Sequence, residues 1–284
     1  MSTGKLTTIK LLEKKKEAHK IVMLTAYDYP TATAAEEAGT DLLLVGDSLG
    51  MVVLGYDSTL PVTVDDMVHH TKAVTRGAKR TMIVTDLPFL SYHISIPEAV
   101  RNAGRLIQEG GADAVKIEGG REILDTLKAI IRAGIPVVGH IGLQPQQVNQ
   151  LGGYKVQGKD LDTAKRIYED AMLLQEAGCF AVVLECVPTK LATLISEQLT
   201  IPTIGIGAGE GCDGQVLVVH DMLGITDKYL PKFAKKYGEL HKDMVNAIAT
   251  YGSEVRDGVF PSAPHGFKMD EAVLEKLKEE LRLS

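Results

Sequence analysis

The sequence predicts an α/β chain closed into a (β/α)8 barrel, with an N-terminal plug helix and extra C-terminal helices. Three observations predict it. Eight short Val/Ile/Leu-rich runs recur along the chain without polar alternation, as strands covered on both faces do. Helical stretches separate them, and five of these stretches reach a glycine at their end, the residue that stops a helix by turning left-handed. Polar or acidic residues close the runs: Asp47-Ser48, Asp86, Lys116 with Glu118, His140 and Glu185. In parallel strands all of these emerge on one rim, where parallel α/β enzymes place their chemistry.

The expected strands are Ile21–Thr25, Asp41–Val45, Thr81–Thr85, Asp113–Ile117, Ile135–Gly139, Phe180–Leu184, Ile201–Ile206 and Gln215–Val219. The helices between them are Thr31–Ala38, Thr63–Arg76, Ile96–Glu109, Glu122–Ala133 and Leu161–Ala177. Thr63 is a good N-cap with Asp65 and Asp66 in the first turn, and Pro97 sits early, where proline is tolerated. The phrases at 37–41, 109–113 and 176–180 share one grammar of helix end, glycine and strand start, a weak repeat of βα units. Strict alternation favours a closed barrel over an open sheet, and no G-x-G-x-x-G follows the first strand. Thr8–Lys16 reads as the plug helix at the N-terminal mouth. Leu230–Tyr251 and Asp270–Leu281 read as further helices, joined by a Gly/Pro-rich segment. The expected division is a catalytic barrel over 1–264 and a helical tail over 265–284. On that tail Val273, Leu277 and Leu281 form a stripe that needs a partner, such as a neighbouring subunit.

Composition narrows the function. The 284 residues are 45% hydrophobic, ample for one large core. With 31 basic and 37 acidic residues the net charge is −6, and no stretch is strongly basic, so nucleic acid is excluded as a partner. Cys179, Cys186 and Cys212 form no C-x-x-C pair and are odd in number, which argues for thiols in a reducing compartment. The first twenty residues lack the apolar core of a signal peptide, and no run reaches the roughly 20 apolar residues of a membrane span. The expected location is cytoplasmic, with no membrane contact.

Asp47, Asp86 and Glu118 end adjacent strands. Two unit charges about 4 Å apart interact by about 4 kcal/mol at an effective dielectric of about 20. Three converging carboxylates therefore call for a divalent cation or a proton, and oxygen ligation suits Mg²⁺. The bland alternative is that Asp47 and Asp86 cap the loops that follow. Lys116 and Glu118 share a strand face. Lys116 suits an anion clamp better than a Schiff base, because acidic neighbours favour its ammonium form. Glu185 follows an apolar run and is a partly desolvated carboxylate suited to general-base work. His140 is either structural or a partner of a ligand or carboxylate. Cys186 reads as packing. The glycines from Gly205 to Gly211 read either as a phosphate cradle or as close packing, and His69 and His70 as surface residues or as a layer behind the site.

At these residues the chain resembles the ketopantoate hydroxymethyltransferase family. The resemblance rests on Val45–Met51, Asp57–Thr63, Asp86–Phe89, Val115–Gly120, Gly139–Leu143, Gly152–Gly158, Leu184–Pro188, Gly205–Gly209 and Asp213–Gln215. It runs from about Thr7 to Phe260, and Tyr56 departs from it where many members carry histidine. The resemblance implies a TIM barrel that uses Mg²⁺ and 5,10-methylenetetrahydrofolate. Its reaction is transfer of a one-carbon unit to 3-methyl-2-oxobutanoate through a Mg-stabilised enolate, on the route to pantothenate. It also implies metal binding by Asp47 and Asp86 with Glu118 beside them or in their shell, and substrate binding by Ser48 and Lys116. Glu185 is the implied base, and the implied assembly is a homo-oligomer, a decamer. Asp47, Asp86 and His140 also stand where substrate would bind. Three rival readings stay open on the residues alone: a Mg-dependent lyase or mutase of phosphonates or other 2-oxo acids, a Schiff-base aldolase using Lys116, and a non-catalytic barrel.

Overall fold

The computed structural model describes residues 4–153, 155–226 and 230–283. Eight parallel strands pair in chain order and close on themselves. They are β1 (Ile21–Thr25), β2 (Leu42–Val45), β3 (Met82–Asp86), β4 (Ala114–Glu118), β5 (Val137–Gly142), β6 (Ala181–Glu185), β7 (Thr203–Ile206) and β8 (Gly214–Leu217). Closure is made by β8 on β1, with Val22 opposite Gln215 and Met23 opposite Val216. The expected (β/α)8 barrel is the fold.

The helices are α1 (Thr8–Lys16), α2 (Tyr29–Glu37), α3 (Leu49–Val52), α4 (Val64–Gly77), α5 (Ile96–Gln108), α6 (Leu124–Arg132), α7 (Val148–Leu151), α8 (Leu161–Glu176), α9 (Thr189–Gln198), α10 (Val219–Leu223), α11 (Leu240–Arg256) and α12 (Glu271–Leu281). Side-chain caps start several of them: Asp28 accepts from Thr31 N, Ser95 from Glu98 N and Asp160 from Thr163 N. Thr63 and Asp66 form a reciprocal capping box on α4. The left-handed glycine stop is not uniform. After α5 it is Gly111 rather than Gly110 that takes positive φ, and α4 ends through Ala78 in an extended conformation. α11 begins at Leu240 rather than Leu230 and runs past Gly252 to Arg256.

Side-chain alternation builds the interior. Ile21, Met23, Leu42, Leu44, Met82, Val84, Ala114, Val138, Ala181, Val183, Ile204, Ile206 and Val216 form one buried cluster inside the barrel. Their alternates, such as Leu43, Ile83, Val115, Val182 and Leu184, pack outward against the helices. Two residues further along the same inward rows stand Asp86, Lys116, His140 and Glu185, and two beyond Lys116 stands Glu118. The interior thus changes from apolar to ionic along unbroken strands.

α1 closes the apolar end. Leu11 is buried in the interior cluster. Lys14 pairs with Asp41 at 2.8 Å and Lys15 with Asp213 at 2.7 Å, while Lys5 pairs with Asp113 at 2.8 Å. Each of these aspartates also accepts a strand N–H, from Val22, Thr203 and Ile83 respectively.

The chain divides into two compact units at Tyr237/Gly238. α11 and α12 fall in the second unit. α11 has no fully buried side chain. Within the second unit Tyr251 and Phe260 make an edge contact, and Val273, Leu277 and Leu281 of α12 are exposed. Among the described residues no helix is long and apolar enough to cross a membrane.

Candidate active site

Five of the strand-end residues are between 2% and 4% exposed: Asp47, Asp86, Lys116, Glu118 and His140. Asp47 lies in the turn after β2. Its N–H donates to Asp86 Oδ2 at 3.1 Å, which ties the first two strand ends together. The turn is tight at Gly46, where a Cβ would lie 2.8 Å from Ser48 Oγ. Lys116 Nζ stands 2.9 Å from Asp86 Oδ1 and 3.1 Å from His140 Nδ1. His140 Nδ1 is 3.4 Å from Glu118 Oε1, and its Nε2 is 3.1 Å from Glu185 Oε2. Glu185, at the end of β6, keeps more solvent access than the other five, with its side chain 14% exposed.

Three buried carboxylates thus face one ammonium. Burial, reinforced by Asp86 and Glu118, drives the Asp47 carboxyl well above the usual carboxylate range. Burial raises Asp86 too, although Lys116 pulls the other way. Glu118 is also pushed up by burial, but His140, Lys116 and the Gln146 N–H outweigh that and hold it below its ordinary value. Burial opposes the Lys116 ammonium, yet Asp86, Glu118 and Asp47 keep it charged. For His140, burial and Lys116 oppose the imidazolium, whereas Glu118 and Glu185 favour it. The carboxylates win, and the ring is lifted to about 9.

Residues that the sequence reading passes over complete the site. Gln146, buried in a 3₁₀ turn after β5, donates through Nε2 to Asp47 Oδ2 and to the Leu87 carbonyl, both at 2.9 Å. Its backbone N–H donates to Glu118 Oε2 at 3.1 Å. The buried Tyr92 hydroxyl donates to Gln146 Oε1 at 2.7 Å. Tyr27, just past β1, has its hydroxyl 2.8 Å from Ser48 Oγ, and its carbonyl is 2.7 Å from His70 Nδ1. His70 therefore stands behind the site and His69 is exposed. The one sequence signal for Gln146 is its place a few residues beyond a barrel strand.

Two other predicted features resolve. A Cβ at Gly209 would lie 2.4 Å from Thr189 Cγ2 and one at Gly211 2.0 Å from Thr193 Oγ1. Gly209 and Gly211 are consumed by packing on α9, while a Cβ at Gly207 would meet Phe233 and one at Gly205 would meet Cys212 and Gln215, which favours the close-packing reading of the run. Cys186 holds a left-handed φ of 49° directly after Glu185. Burial, aided by Glu185, pushes its thiol up to about 11, which leaves it protonated and unreactive at neutral pH.

Among the described residues no group of three His, Cys, Asp or Glu side chains is arranged to hold a metal ion. The site offers a pair instead. Asp86 Oδ1 is buried and accepts no hydrogen bond, so its approach to Lys116 is a charge contact off the hydrogen-bond direction. Asp47 Oδ2 is held by Gln146 alone among the described hydrogen bonds. Mg²⁺ binds through one or two protein carboxylates, with water and substrate oxygens completing its octahedron. The aspartate pair fits that donor set.

A model of the ketopantoate hydroxymethyltransferase family matches residues 5–263. The chain belongs to that family. It is 60% identical over 273 residues to the 3-methyl-2-oxobutanoate hydroxymethyltransferase of Acetivibrio thermocellus, covering 96% of both chains. It is 60% identical over 263 residues to the protein of the same name from Syntrophus aciditrophicus, covering 93% of this chain and 97% of that one. This family member is therefore an enzyme, a transferase of hydroxymethyl groups. Among solved structures, phosphoenolpyruvate phosphomutase from Streptomyces platensis subsp. rosaceus shares the barrel with a TM-score of 0.60 at 13% identity, over 98% of this chain and 97% of that one. At that identity the likeness is one of fold.

Proposed function

We propose that this enzyme transfers a hydroxymethyl group from 5,10-methylenetetrahydrofolate to 3-methyl-2-oxobutanoate, giving ketopantoate (2-dehydropantoate) for pantothenate biosynthesis. The observation that carries the reading is a more accessible carboxylate, Glu185, linked through His140 to the Lys116 ammonium, which in turn meets buried Asp86. Asp47 and Asp86 would hold Mg²⁺, with Glu118 behind them on Gln146 and His140. The bound ion supplies Lewis-acid polarisation of the keto acid.

The protein's own residues do the rest. Lys116 Nζ and the Ser48 hydroxyl hold the substrate carboxylate, with Ser48 fixed by Tyr27. Glu185 removes the C3 proton. Its Oε2 lies 3.1 Å from His140 Nε2, a charge contact off the hydrogen-bond direction, and an imidazolium there attracts the carboxylate. The enolate carbon forms a bond to the one-carbon unit. Water first breaks the two C–N bonds of the donor, releasing tetrahydrofolate and the one-carbon unit as formaldehyde; as the enolate carbon bonds to it the C=O π bond opens, and the oxygen takes the proton from Glu185 to become the hydroxyl. A positioned base contributes about 10²–10⁴ in rate, and charge stabilisation of the enolate is usually the larger share.

The α12 stripe of Val273, Leu277 and Leu281 supports self-association, and a decamer in the cytoplasm is the assembly that fits the family. The test is a steady-state assay with 3-methyl-2-oxobutanoate and 5,10-methylenetetrahydrofolate, with and without a chelator. Product formation abolished by chelator and restored by Mg²⁺ supports the reading. Turnover of phosphonates or other 2-oxo acids without folate overturns it.

A further inference from the structure

We propose that Gln146 is a positioning residue for the metal-binding carboxylate of Asp47, a reading that rests on Asp47 being a ligand of the divalent cation. Both amide hydrogens of the side chain are committed. Nε2 carries two hydrogens and meets two acceptors, Asp47 Oδ2 and the Leu87 carbonyl. Oε1 meets the Tyr92 hydroxyl at 2.7 Å. The amide orientation is fixed by these partners: a flipped amide would put its oxygen against a carboxylate and a carbonyl. Tyr92 O–H has one hydrogen and two acceptors in reach, the Glu118 carbonyl at 3.1 Å and Gln146 Oε1. The shorter contact takes it.

The placement matters as much as the saturation. Gln146 comes from the loop after β5, yet it holds the loops after β2 and β3 through Asp47 and Leu87, and the end of β4 through Glu118 Oε2. It is the one buried uncharged side chain among the described residues that donates to Asp47. A hydrogen bond to Oδ2 fixes the rotation of the carboxylate plane and favours its ionised form, which a cation requires. A neutral amide does this without adding another charge to a cluster already rich in carboxylates.

The experiment compares wild type with Gln146→Met, which keeps length and removes both donors, and with Tyr92→Phe, which leaves the amide without its orienting hydroxyl. Mg²⁺ affinity is measured by calorimetry, without substrate and well below each melting temperature. Folding is checked by circular dichroism. Ligand-orienting partners are worth about 10–100-fold in metal affinity, so Gln146→Met should weaken binding by about that factor. Tyr92→Phe should weaken it about 3-fold. Should Gln146→Met fail to fold, the Tyr92→Phe shift decides. Wild type that binds Mg²⁺ with unchanged affinity in the folded variants overturns this inference and leaves Asp47 as a ligand. A wild type that binds no Mg²⁺, matched by Asp47→Asn, overturns both.

Discussion

The two ends of the barrel use the same residue type for opposite purposes. At the end sealed by α1, Asp41, Asp113 and Asp213 each take one lysine and one strand N–H. Charge is matched one to one, and every aspartate knits the chain before a strand to the strand beside it. At the other end Asp47, Asp86 and Glu118 are deeper and share Lys116. Burial there raises Asp47 and Asp86 instead of relieving them. The difference teaches where stability ends and chemistry begins: a satisfied carboxylate is structure, and a crowded one is a site held ready for a cation.

The largest expected effect breaks the crowded end. Asp47→Ala should lower kcat by 10³-fold or more, and at least as much as Glu185→Gln, which should cost about 10²–10⁴. Without metal, the melting temperature of Asp47→Ala should hold or rise, because loss of a buried carboxyl that Asp86 and Glu118 repel offsets loss of its hydrogen bond from Gln146. Steady-state kinetics and thermal melts on the same samples check both halves. An Asp47→Ala enzyme with normal rate and Mg²⁺ dependence would sink the comparison.

The matched end should respond in reverse. Asp213→Ala removes contacts to Lys15 Nζ, Thr203 N and Thr203 Oγ1 and should cost about 2 kcal/mol of stability, with kcat unchanged. Urea titration and a rate assay separate the two. A smaller effect is expected at Cys186. Replacement by glycine relieves the left-handed backbone by about 1 kcal/mol, and kcat should survive if the thiol has no chemical role.

The smallest effect also belongs to the sealed end, where the chain enters β3. Glu36 accepts the N–H groups of Lys79, Arg80 and Thr81. Burial pushes its carboxyl up, but those donors outweigh it and lower it from 4.5. A depressed acid contributes stability that is fully present above its unfolded value and is lost as pH falls through the folded one. Wild type should therefore lose stability below about pH 4.5 more steeply than Glu36→Gln, as melts between pH 5 and pH 3 would read.

Much of this was legible in the sequence. The eight apolar runs are the eight strands, because burial on both faces leaves a continuous hydrophobic signature. The strand-end residues Asp86, Lys116, Glu118, His140 and Glu185 converge because a period of two carries each inward row to the rim. α9 was not legible: it lacks the terminal glycine by which the other barrel helices are read, and ends through Leu199 in an extended conformation. α3, α7 and α10 are too short for a periodic stripe. Gln146, Tyr92 and Tyr27 escaped for a different reason. Each acts on a residue distant in sequence, as Gln146 does on Asp47 ninety-nine positions away, and only the closed barrel brings such partners together.

The central claim, that Glu185 takes a proton from a keto acid held at the crowded end, is tested most directly by proton NMR in D₂O. The protein is incubated with 3-methyl-2-oxobutanoate and Mg²⁺, and loss of the C3 proton signal is followed. Exchange in the wild type, abolished by Glu185→Gln, is the predicted result. Exchange at the wild-type rate in Glu185→Gln would contradict the account.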